Sequence, residues 1–204
     1  MKIKCRHIVY MPYKFIYYNP DETIRFQKNL ITERCIHVNQ TNGRQCSRKV
    51  VIGVNRCFQH RGDLKVKPSL IPDAGKGVFA YDKESPNSND IVYRPHDKII
   101  DYLGERINKD ELNKRYGDDK NTAPYGLKIN NNLFIDAATR RGIASLVNKP
   151  PPRNQPNARL SVNTTTHNAT LKATKNIRNN QEILTSYGNN YVIQDNYKTK
   201  YTSR

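Results

Sequence analysis

The chain has 204 residues, a formal net charge of +17, 36% hydrophobic residues and a mean hydropathy of −0.86. This length suits one domain of moderate size with a small appendage, and the low hydrophobic content predicts many polar loops. We expect an intracellular protein without a membrane partner, because no apolar run is long enough to cross a bilayer and no secretory signal is evident. The positive charge favours nucleic acid or another polyanion as a partner; the alternative is compositional bias alone.

The first third of the chain contains four cysteines: Cys5, Cys35, Cys46 and Cys57. In a reducing compartment metal binding is favoured over disulfides. Three of these thiols and His60 provide enough ligands for a tetrahedral zinc site, and Cys57-x-x-His60 has a chelating spacing. Because the segment is short and polar, zinc would be its main source of folding energy. The alternative is reduced structural cysteines beside an incidental histidine. Spare ligand candidates are Cys5, His7 and His37.

Residues 73–80 read DAGKGVFA, in which two glycines flank a lysine and an apolar run follows. A P-loop would need a hydroxyl residue after the lysine, and Gly77 stands there instead. A second interpretation is a tight turn that enters a strand, with glycines that supply positive φ. A third is a cofactor that lies against exposed backbone amides. Taken alone, the octet favours the tight turn.

Short elements follow along the chain. A strand is predicted in KIIDYLGERI, reaching a turn at Gly104. A short helix is predicted in NKDELNKRYGDD, with Asn108 or Asp110 as its N-cap and Gly117 as its end. A hairpin is predicted in YGLKINNNLFIDAA, and a proline-rich loop in NKPPPRNQPNARL. Further strands are predicted in ATLKATKNI and at the start of EILTSYGNNY. The predicted fold class is therefore mainly β with few short helices.

Five stretches occur in a specific order between Ser69 and Tyr191: GKGVFA, DYLGERI, FIDAATRRG, SLVNK…QPNA and NNQEILTSYGNNY. This order resembles the SET domain of protein lysine methyltransferases, especially the compact viral members. The resemblance implies several small β-sheets with a C-terminal pseudoknot, preceded by a small zinc knuckle. We expect an N-terminal extension at 1–34, a zinc-binding motif at 35–62, a SET domain at 63–191 and a tail at 192–204 that closes over the cofactor.

The resemblance also implies methyl transfer from S-adenosylmethionine to a lysine ε-amine of a protein, with a histone as the expected substrate. The catalytic candidates are Tyr187, the reactive-centre tyrosine, and Tyr102, the second tyrosine of the lysine channel. The cofactor-binding candidates are Lys76, Gly77, Val78, Tyr125, Asn148, Lys149, Tyr187 and Tyr191. Glu182 matches a structural acid beside a strand. An aromatic channel next to a sulfonium would lower the pKa of the acceptor lysine, which is near 10.4 when free.

The chain departs from the family pattern at three places. Lys149 replaces the histidine that follows the family asparagine, and Arg141-Gly142 replaces the usual Gly-Asn. Thr185 stands where many relatives carry an aromatic residue that tunes the number of methyl groups added, so the degree of methylation stays open. The first two departures favour an alternative function, a catalytically weak SET-fold module that binds chromatin or nucleic acid.

A strongly cationic enzyme repels a cationic histone tail at long range. Either local acids offset this repulsion, or the substrate is presented on DNA and the basic surface binds phosphates. The candidate acids are Glu105, Asp110, Glu111, Asp118 and Asp119. With chromatin as the substrate, the expected location is the nucleus, a viral factory or a virion.

Overall fold

The structure is a computed structural model that describes residues 14–51, 56–57, 60, 62–84, 87–117, 123–188 and 199–202. No helix in this part of the chain has the length and apolar character that crossing a bilayer requires. The described strands are β1 (Lys14–Tyr18), β2 (Ile24–Asn29), β3 (Thr32–Arg34), β4 (Lys49–Val51), β5 (Leu64–Pro68), β6 (Lys76–Ala80), β7 (Ile91–Tyr93), β8 (Lys98–Asp101), β9 (Glu105–Asn108), β10 (Gly126–Lys128), β11 (Leu133–Asp136), β12 (Ala158–Asn163), β13 (Asn168–Ala173), β14 (Ile177–Arg178) and β15 (Thr199–Thr202). The described helices are α1 (Lys109–Tyr116) and a 3-10 turn at Ile143–Leu146.

These strands form six small sheets in the described part of the chain. Three sheets have three strands each, in the orders β15-β1-β2, β10-β11-β9 and β12-β13-β8. The other three are two-stranded ribbons that pair β14 with β7, β3 with β4 and β5 with β6. Neighbouring strands run antiparallel throughout. The predicted class, mainly β with few short helices, is confirmed.

The predicted hairpin is formed by β10 and β11, and its turn has a local cause. The side-chain oxygen of Asn130 accepts hydrogen bonds from the backbone N–H groups of Asn132 at 3.0 Å and Leu133 at 2.9 Å. Asparagine side chains often satisfy turn amides in this way, so the asparagine run favours the reversal. The register pairs Gly126 with Asp136, which places the end of β11 beside the start of β10.

Helix α1 begins and ends where its capping residues predict. The side chain of Asn108 accepts a hydrogen bond from the backbone N–H of Glu111, and Gly117 ends the helix at a φ of 95°. The buried residues of the helix are Arg115 and Tyr116, which face the body of the protein. The strand predicted before this helix ends at Asp101, and a second strand, β9, begins at Glu105.

Residues 182–185 pass between three other segments and form the predicted pseudoknot. They make isolated bridges to Phe79 on β6, and parallel bridges to Asn148 and Ala158 at the two ends of the proline-rich loop. The partner therefore changes almost residue by residue, which is why a continuous strand does not form here. Asn157 fastens this arrangement, because its side chain donates to the carbonyl of Glu182 at 2.9 Å and accepts from the N–H of Leu184 at 2.8 Å.

The main hydrophobic core joins the cysteine segment to β6, the strand that follows the glycine turn at Gly75. Cys35 and Cys57 belong to the same buried cluster as Val78 and Ile183. The buried side chains therefore do not divide at residue 62, although the proposed domain boundaries stay predictions. Cys57 is 3% exposed and Cys35 is fully buried, so this packing excludes solvent from two of the four candidate metal ligands.

A smaller core lies under the N-terminal sheet. Phe15 and Tyr17 on β1 pack with Tyr116 on α1 and with Ala138. β1 also pairs with β15, so the first and last described strands are neighbours. The expectation that the tail at 192–204 covers a cofactor stays a prediction, because the structure describes only 199–202 of this segment.

Candidate active site and metal centre

Gly75 and Gly77, the two glycines of the DAGKGVFA stretch, serve different purposes. Gly75 has a φ of +69°, and a Cβ there would meet no atom of the described residues within 4 Å. Gly77 lies on β6, and a Cβ there would fall 2.1 Å from Oε1 of Glu182. The first glycine therefore permits the turn, as the tight-turn interpretation expects. The second leaves room for a carboxylate from a segment far along the chain.

Glu182 is 5% exposed and organises the segment around this turn. Its Oε1 accepts a hydrogen bond from the Ser69 hydroxyl at 2.7 Å, and its Oε2 accepts from the backbone N–H of Leu70 at 2.8 Å. The structural role that the resemblance implies for Glu182 fits these contacts, because they hold residues 69–70 against β6. Ser69 was not singled out from the sequence, and no local pattern marks it as a partner of Glu182.

Asn148 connects the glycine turn to the pseudoknot. Its Nδ2 donates to the carbonyl of Lys76 at 3.1 Å and to Oε1 of Glu182 at 3.2 Å. Both contacts are with acceptors, so they fix which side of the amide carries the nitrogen. The Oδ1 atom accepts no hydrogen bond from the described residues and remains available to a donor. Lys149 is exposed and follows Asn148 on the outer side of the loop.

Tyr187 lies immediately beside this asparagine in space. Its hydroxyl donates a 2.9 Å hydrogen bond to the carbonyl of Val147, the residue before Asn148. The side chain of Tyr187 is 36% exposed, so its ring borders solvent and the hydroxyl end is held inward. With the proton directed at a carbonyl, the lone pairs of the oxygen can accept a hydrogen bond from a ligand.

Tyr102 is hydrogen-bonded to the backbone of Tyr125 and lies close enough to Tyr187 to feel its charge. The hydroxyl of Tyr102 donates to the backbone carbonyl of Tyr125 at 2.8 Å, and Tyr102 is 8% exposed. Burial raises the pKa of Tyr102 far above its ordinary value, and the charges of Asp136, Tyr187 and Tyr125 raise it further. Tyr102 therefore stays a neutral phenol at physiological pH, and like Tyr187 it presents oxygen lone pairs rather than a free proton.

The acids between Tyr102 and Tyr125 are partly committed to an internal ion-pair network. Glu105 accepts hydrogen bonds from Lys28 at 2.8 Å, Arg115 at 3.0 Å and the Thr139 hydroxyl. Burial raises the pKa of Glu105, but these hydrogen bonds outweigh it and bring the pKa to about 2. Glu105 therefore does not fit the expectation that it offsets the charge of a substrate. Glu111 also binds Arg115, at 2.7 Å. Asp118 and Asp119 lie outside the described residues.

The four candidate metal ligands converge on one point. The donor atoms of Cys35, Cys46, Cys57 and His60 all lie within 4.8 Å of one another. The Sγ atoms of Cys46 and Cys57 are 4.0 Å apart, and Nδ1 of His60 lies 3.4 Å from Sγ of Cys35 and 3.3 Å from Sγ of Cys57. A tetrahedron with zinc–sulfur bonds of about 2.3 Å and zinc–nitrogen bonds of about 2.0 Å has edges of about 3.8 and 3.5 Å. The donor set and its spacing therefore fit a closed tetrahedral zinc site.

The surroundings of the cluster favour the ligand forms of its side chains. Burial lowers the pKa of His60, and the positive charges of His37, Arg48 and Arg56 lower it further, so the imidazole is neutral. Burial raises the pKa of Cys35, but hydrogen bonds to its sulfur outweigh this effect and bring the pKa below its ordinary value. The largest of these contributions comes from the backbone N–H of Cys57. The ring of His37 stacks on His60 with centroids 3.7 Å apart and is not among the four donors. Cys5 and His7 lie outside the described residues.

Comparison with known families identifies the fold. The family model of the SET domain matches residues 75–188, more than half of the 204 residues. The chain belongs to the SET-domain family. The match includes Gly75, Gly77, Asn148, Glu182 and Tyr187. No curated protein matches the chain by sequence.

Solved structures of a similar fold include two of the Polycomb Repressive Complex 2 of Chaetomium thermophilum. One is a humanized mutant bound to the inhibitor GSK126, with 21% identity, a TM-score of 0.50, and coverage of 65% of this chain and 16% of that chain. The other is the complex with H3K27me3 and H3K27M, with 21% identity, a TM-score of 0.50, and coverage of 66% and 16%. At this identity the similarity shows the SET fold alone. The aligned region is a small part of each Chaetomium chain.

Within the SET domain, the structure brings most of the candidate residues together, while their roles stay predictions. Gly77 and Val78 are buried on β6, and Lys76 is exposed but contributes its carbonyl to Asn148. Tyr191 lies outside the described residues. Arg141 was noted from the sequence only as a departure from the family, yet its guanidinium lies over the ring of Tyr125. Sequence spacing gives no signal for that contact, because it depends on how the turn before β10 and the turn after β11 approach each other.

Proposed function

We propose that the chain is an S-adenosylmethionine-dependent protein-lysine methyltransferase that acts on a histone or another basic chromatin protein. One observation carries this proposal: two consecutive residues join the candidate cofactor site to the candidate reactive tyrosine. The carbonyl of Val147 accepts the hydroxyl of Tyr187 at 2.9 Å, and the side chain of Asn148 binds the carbonyl of Lys76 at 3.1 Å. A donor molecule held at the glycine turn would therefore lie next to the oxygen of Tyr187.

The residues present fit the proposed cofactor. Asn148 has an acceptor oxygen without a partner among the described residues, which suits the ammonium group of a methionine moiety. The space in front of Gly75 is open, so a ligand can approach the backbone there. When bound, S-adenosylmethionine would supply a sulfonium methyl group, whose C–S bond breaks as the amine lone pair forms the new N–C bond. The proton that the methylated amine then carries can pass to solvent.

The tyrosines of the chain would orient the acceptor amine. Tyr187 and Tyr102 both direct their hydroxyl protons at backbone carbonyls, at 2.9 and 2.8 Å. Their oxygens can therefore accept hydrogen bonds from the N–H groups of an incoming amine and turn its lone pair toward the methyl group. Holding two reacting groups in line supplies much of the rate in such reactions.

The proposed substrate class rests on charge and on the related fold. One similar structure is of a complex with H3K27me3 and H3K27M, which supports a histone tail as the acceptor for this chain. The net charge of +17 suits a substrate presented on DNA. Calorimetry with S-adenosylmethionine, followed by mass spectrometry of methylated core histones, tests the proposal. Cofactor binding with transfer to a histone lysine is the expected result, and absence of both would overturn it.

A structural zinc ion is part of the proposal. Four protein ligands leave no open coordination position, so zinc at Cys35, Cys46, Cys57 and His60 would stabilise the fold rather than take part in chemistry. The burial of Cys35 and Cys57 in the main core supports this role, because the metal would hold the knuckle against the SET domain.

A second candidate function is supported by the surface beside the metal cluster. A groove of about 310 Å³ there is lined by polar and cationic side chains, among them Arg44, Arg48 and His37. Such a groove suits phosphates, and in this second function the chain would be a catalytically weak module that binds chromatin or nucleic acid. Methylation of nucleosomes and of matched H3 peptides between about 50 and 200 mM salt separates the contribution of DNA contact from that of the histone tail. If the ratio of nucleosome to peptide methylation falls as salt rises, the result supports DNA contact. If this ratio does not change with salt, the positive charge reflects amino-acid composition and does not direct the protein to DNA.

A further inference from the structure

Arg141 places a positive charge beside the candidate lysine channel. Its guanidinium carbon lies 4.8 Å from the centroid of the Tyr125 ring, and its Nη2 donates to the Tyr125 hydroxyl at 3.3 Å. The side chain is half-buried, so solvent screens its charge less than it screens that of a surface arginine. A cation held over an aromatic face by a hydrogen bond has a defined position.

The backbone next to Arg141 is fixed against the channel. Gly142 packs so closely on Leu103 that an added Cβ would lie 3.1 Å from the Leu103 Cβ and 3.3 Å from its backbone nitrogen. Leu103 directly follows Tyr102 in the chain. The turn after β11 therefore lies against the segment that holds Tyr102, which restrains the backbone from which the Arg141 side chain extends.

The same charge acts on the tyrosines that the proposed mechanism uses. Tyr102 donates its hydroxyl to the carbonyl of Tyr125, the residue that Arg141 covers. The pKa of Tyr102 is raised by burial and by the charges of Asp136, Tyr187 and Tyr125, and Arg141 opposes that rise. The electrostatic field of Arg141 thus reaches Tyr102, whose oxygen is proposed to face the acceptor amine.

The other charged groups around this cluster are largely accounted for. Asp136, on β11, is fully buried, and Nη1 of Arg115 binds its Oδ2 at 2.9 Å. The hydroxyl of Tyr116 donates to the same oxygen at 2.8 Å. Arg115 is itself bound by Glu105 and Glu111. Asp136 therefore sits within an internally satisfied network, whereas the contacts described for Arg141 are with Tyr125.

We propose that Arg141, from its place over the Tyr125 ring, favours the uncharged, nucleophilic form of the acceptor lysine by like-charge repulsion. This inference rests on the proposed methyltransferase function. A free lysine amine has a pKa near 10.4 and is almost fully protonated at neutral pH, so an ammonium must lose a proton before it can accept a methyl group. At an effective dielectric of about 20, two like unit charges separated by about 6–8 Å would shift that equilibrium by about one and a half to two pH units.

The test is the pH dependence of kcat, which reports groups in the enzyme–substrate complex, for methylation of recombinant histone H3 by four proteins: wild type, Arg141→Gln, Arg141→Lys and Arg140→Gln. Arg140 is exposed and adjacent, so its variant removes the same charge away from the channel. For Arg141→Gln we expect the acid limb of the kcat profile to move up by about 1–2 pH units, which lowers kcat at neutral pH by about 10- to 100-fold. Arg141→Lys keeps the charge and should stay near wild type, as should Arg140→Gln.

A purely structural role for Arg141 would lower the whole profile without moving its acid limb, and that result would overturn the inference. A second measurement needs no activity: the affinities of an H3 peptide and of its norleucine-for-lysine analogue, compared in wild type and in Arg141→Gln. We expect the affinity for the lysine peptide, relative to the norleucine analogue, to be lower in wild type than in Arg141→Gln. Wild-type protein without methyl transfer would refute the proposed function, and an unchanged peptide ratio would refute the role of Arg141 separately.

Discussion

Replacement of Gly77 by alanine should damage both stability and cofactor binding, because of one contact. The new Cβ would lie 2.1 Å from Oε1 of Glu182 and 2.9 Å from its carboxyl carbon. The carboxylate must therefore retreat by more than about 1 Å to reach ordinary van der Waals separation. Its hydrogen bonds from Ser69 at 2.7 Å and Leu70 at 2.8 Å would then exceed hydrogen-bond length.

The expected loss follows from those bonds. A hydrogen bond to a charged group contributes about 1.5–3 kcal/mol, and losing one or two of them gives a loss of about 2–5 kcal/mol. Domains have total stabilities of about 5–15 kcal/mol, so the variant should be much weakened but able to fold. For a chain of this size the melting temperature should fall by about 5–15 °C. Asn148 also binds Oε1 of Glu182 at 3.2 Å, so affinity for S-adenosylmethionine should fall as well.

The matched control is Gly75→Ala. That Cβ would meet nothing within 4 Å, so the change should cost only the strain of a positive φ, about 1–2 kcal/mol. Urea unfolding measures both variants, and a double-mutant cycle isolates the contact. In a Glu182→Ala background the clash is absent, so Gly77→Ala should cost less than about 1 kcal/mol. Equal losses for Gly77→Ala in both backgrounds, or no difference from Gly75→Ala, would refute the reasoning.

Three further predictions address the reaction, the ion-pair network and the metal. Tyr187→Phe should reduce methyl transfer by about 100-fold and leave cofactor affinity within threefold, because only the hydroxyl acts on the reacting groups; equal activity would remove Tyr187 from the mechanism. The pKa of Glu105 is lowered from 4.5 to about 2, so its contribution of about 3 kcal/mol is complete above pH 4.5 and disappears as pH falls toward 2. Urea unfolding from pH 6 to 2 should show this loss of unfolding free energy in wild type and not in Glu105→Gln. An equal loss in both proteins would contradict the prediction. Metal analysis should find one zinc per chain, and Cys46→Ser should lose it and lower the melting temperature, with Ser47→Ala as control; wild type without zinc would exclude the site.

Several elements follow from the sequence because their causes are local. Asn108 caps the helix three residues before Glu111, and Asn130 closes its hairpin turn within three residues. These hydrogen bonds need no distant partner, so capping and turn residues predict them correctly. The four candidate metal ligands could also be chosen from residue type and spacing, since a thiolate–imidazole set of this kind favours zinc.

Tertiary structure alone decided how the candidate active site is assembled. The bond between Ser69 and Glu182 joins residues 113 positions apart, and the bond between Tyr187 and Val147 joins residues 40 apart. In the sequence Gly77 resembles any glycine of a tight turn, and only the approach of Glu182 explains why a side chain cannot stand there. The position of Arg141 over Tyr125 likewise depends on the packing of two separate turns. Local hydrogen bonds form within a few residues of one another, whereas the contacts of Ser69 with Glu182 and of Tyr187 with Val147 exist only after the pseudoknot has brought remote segments together.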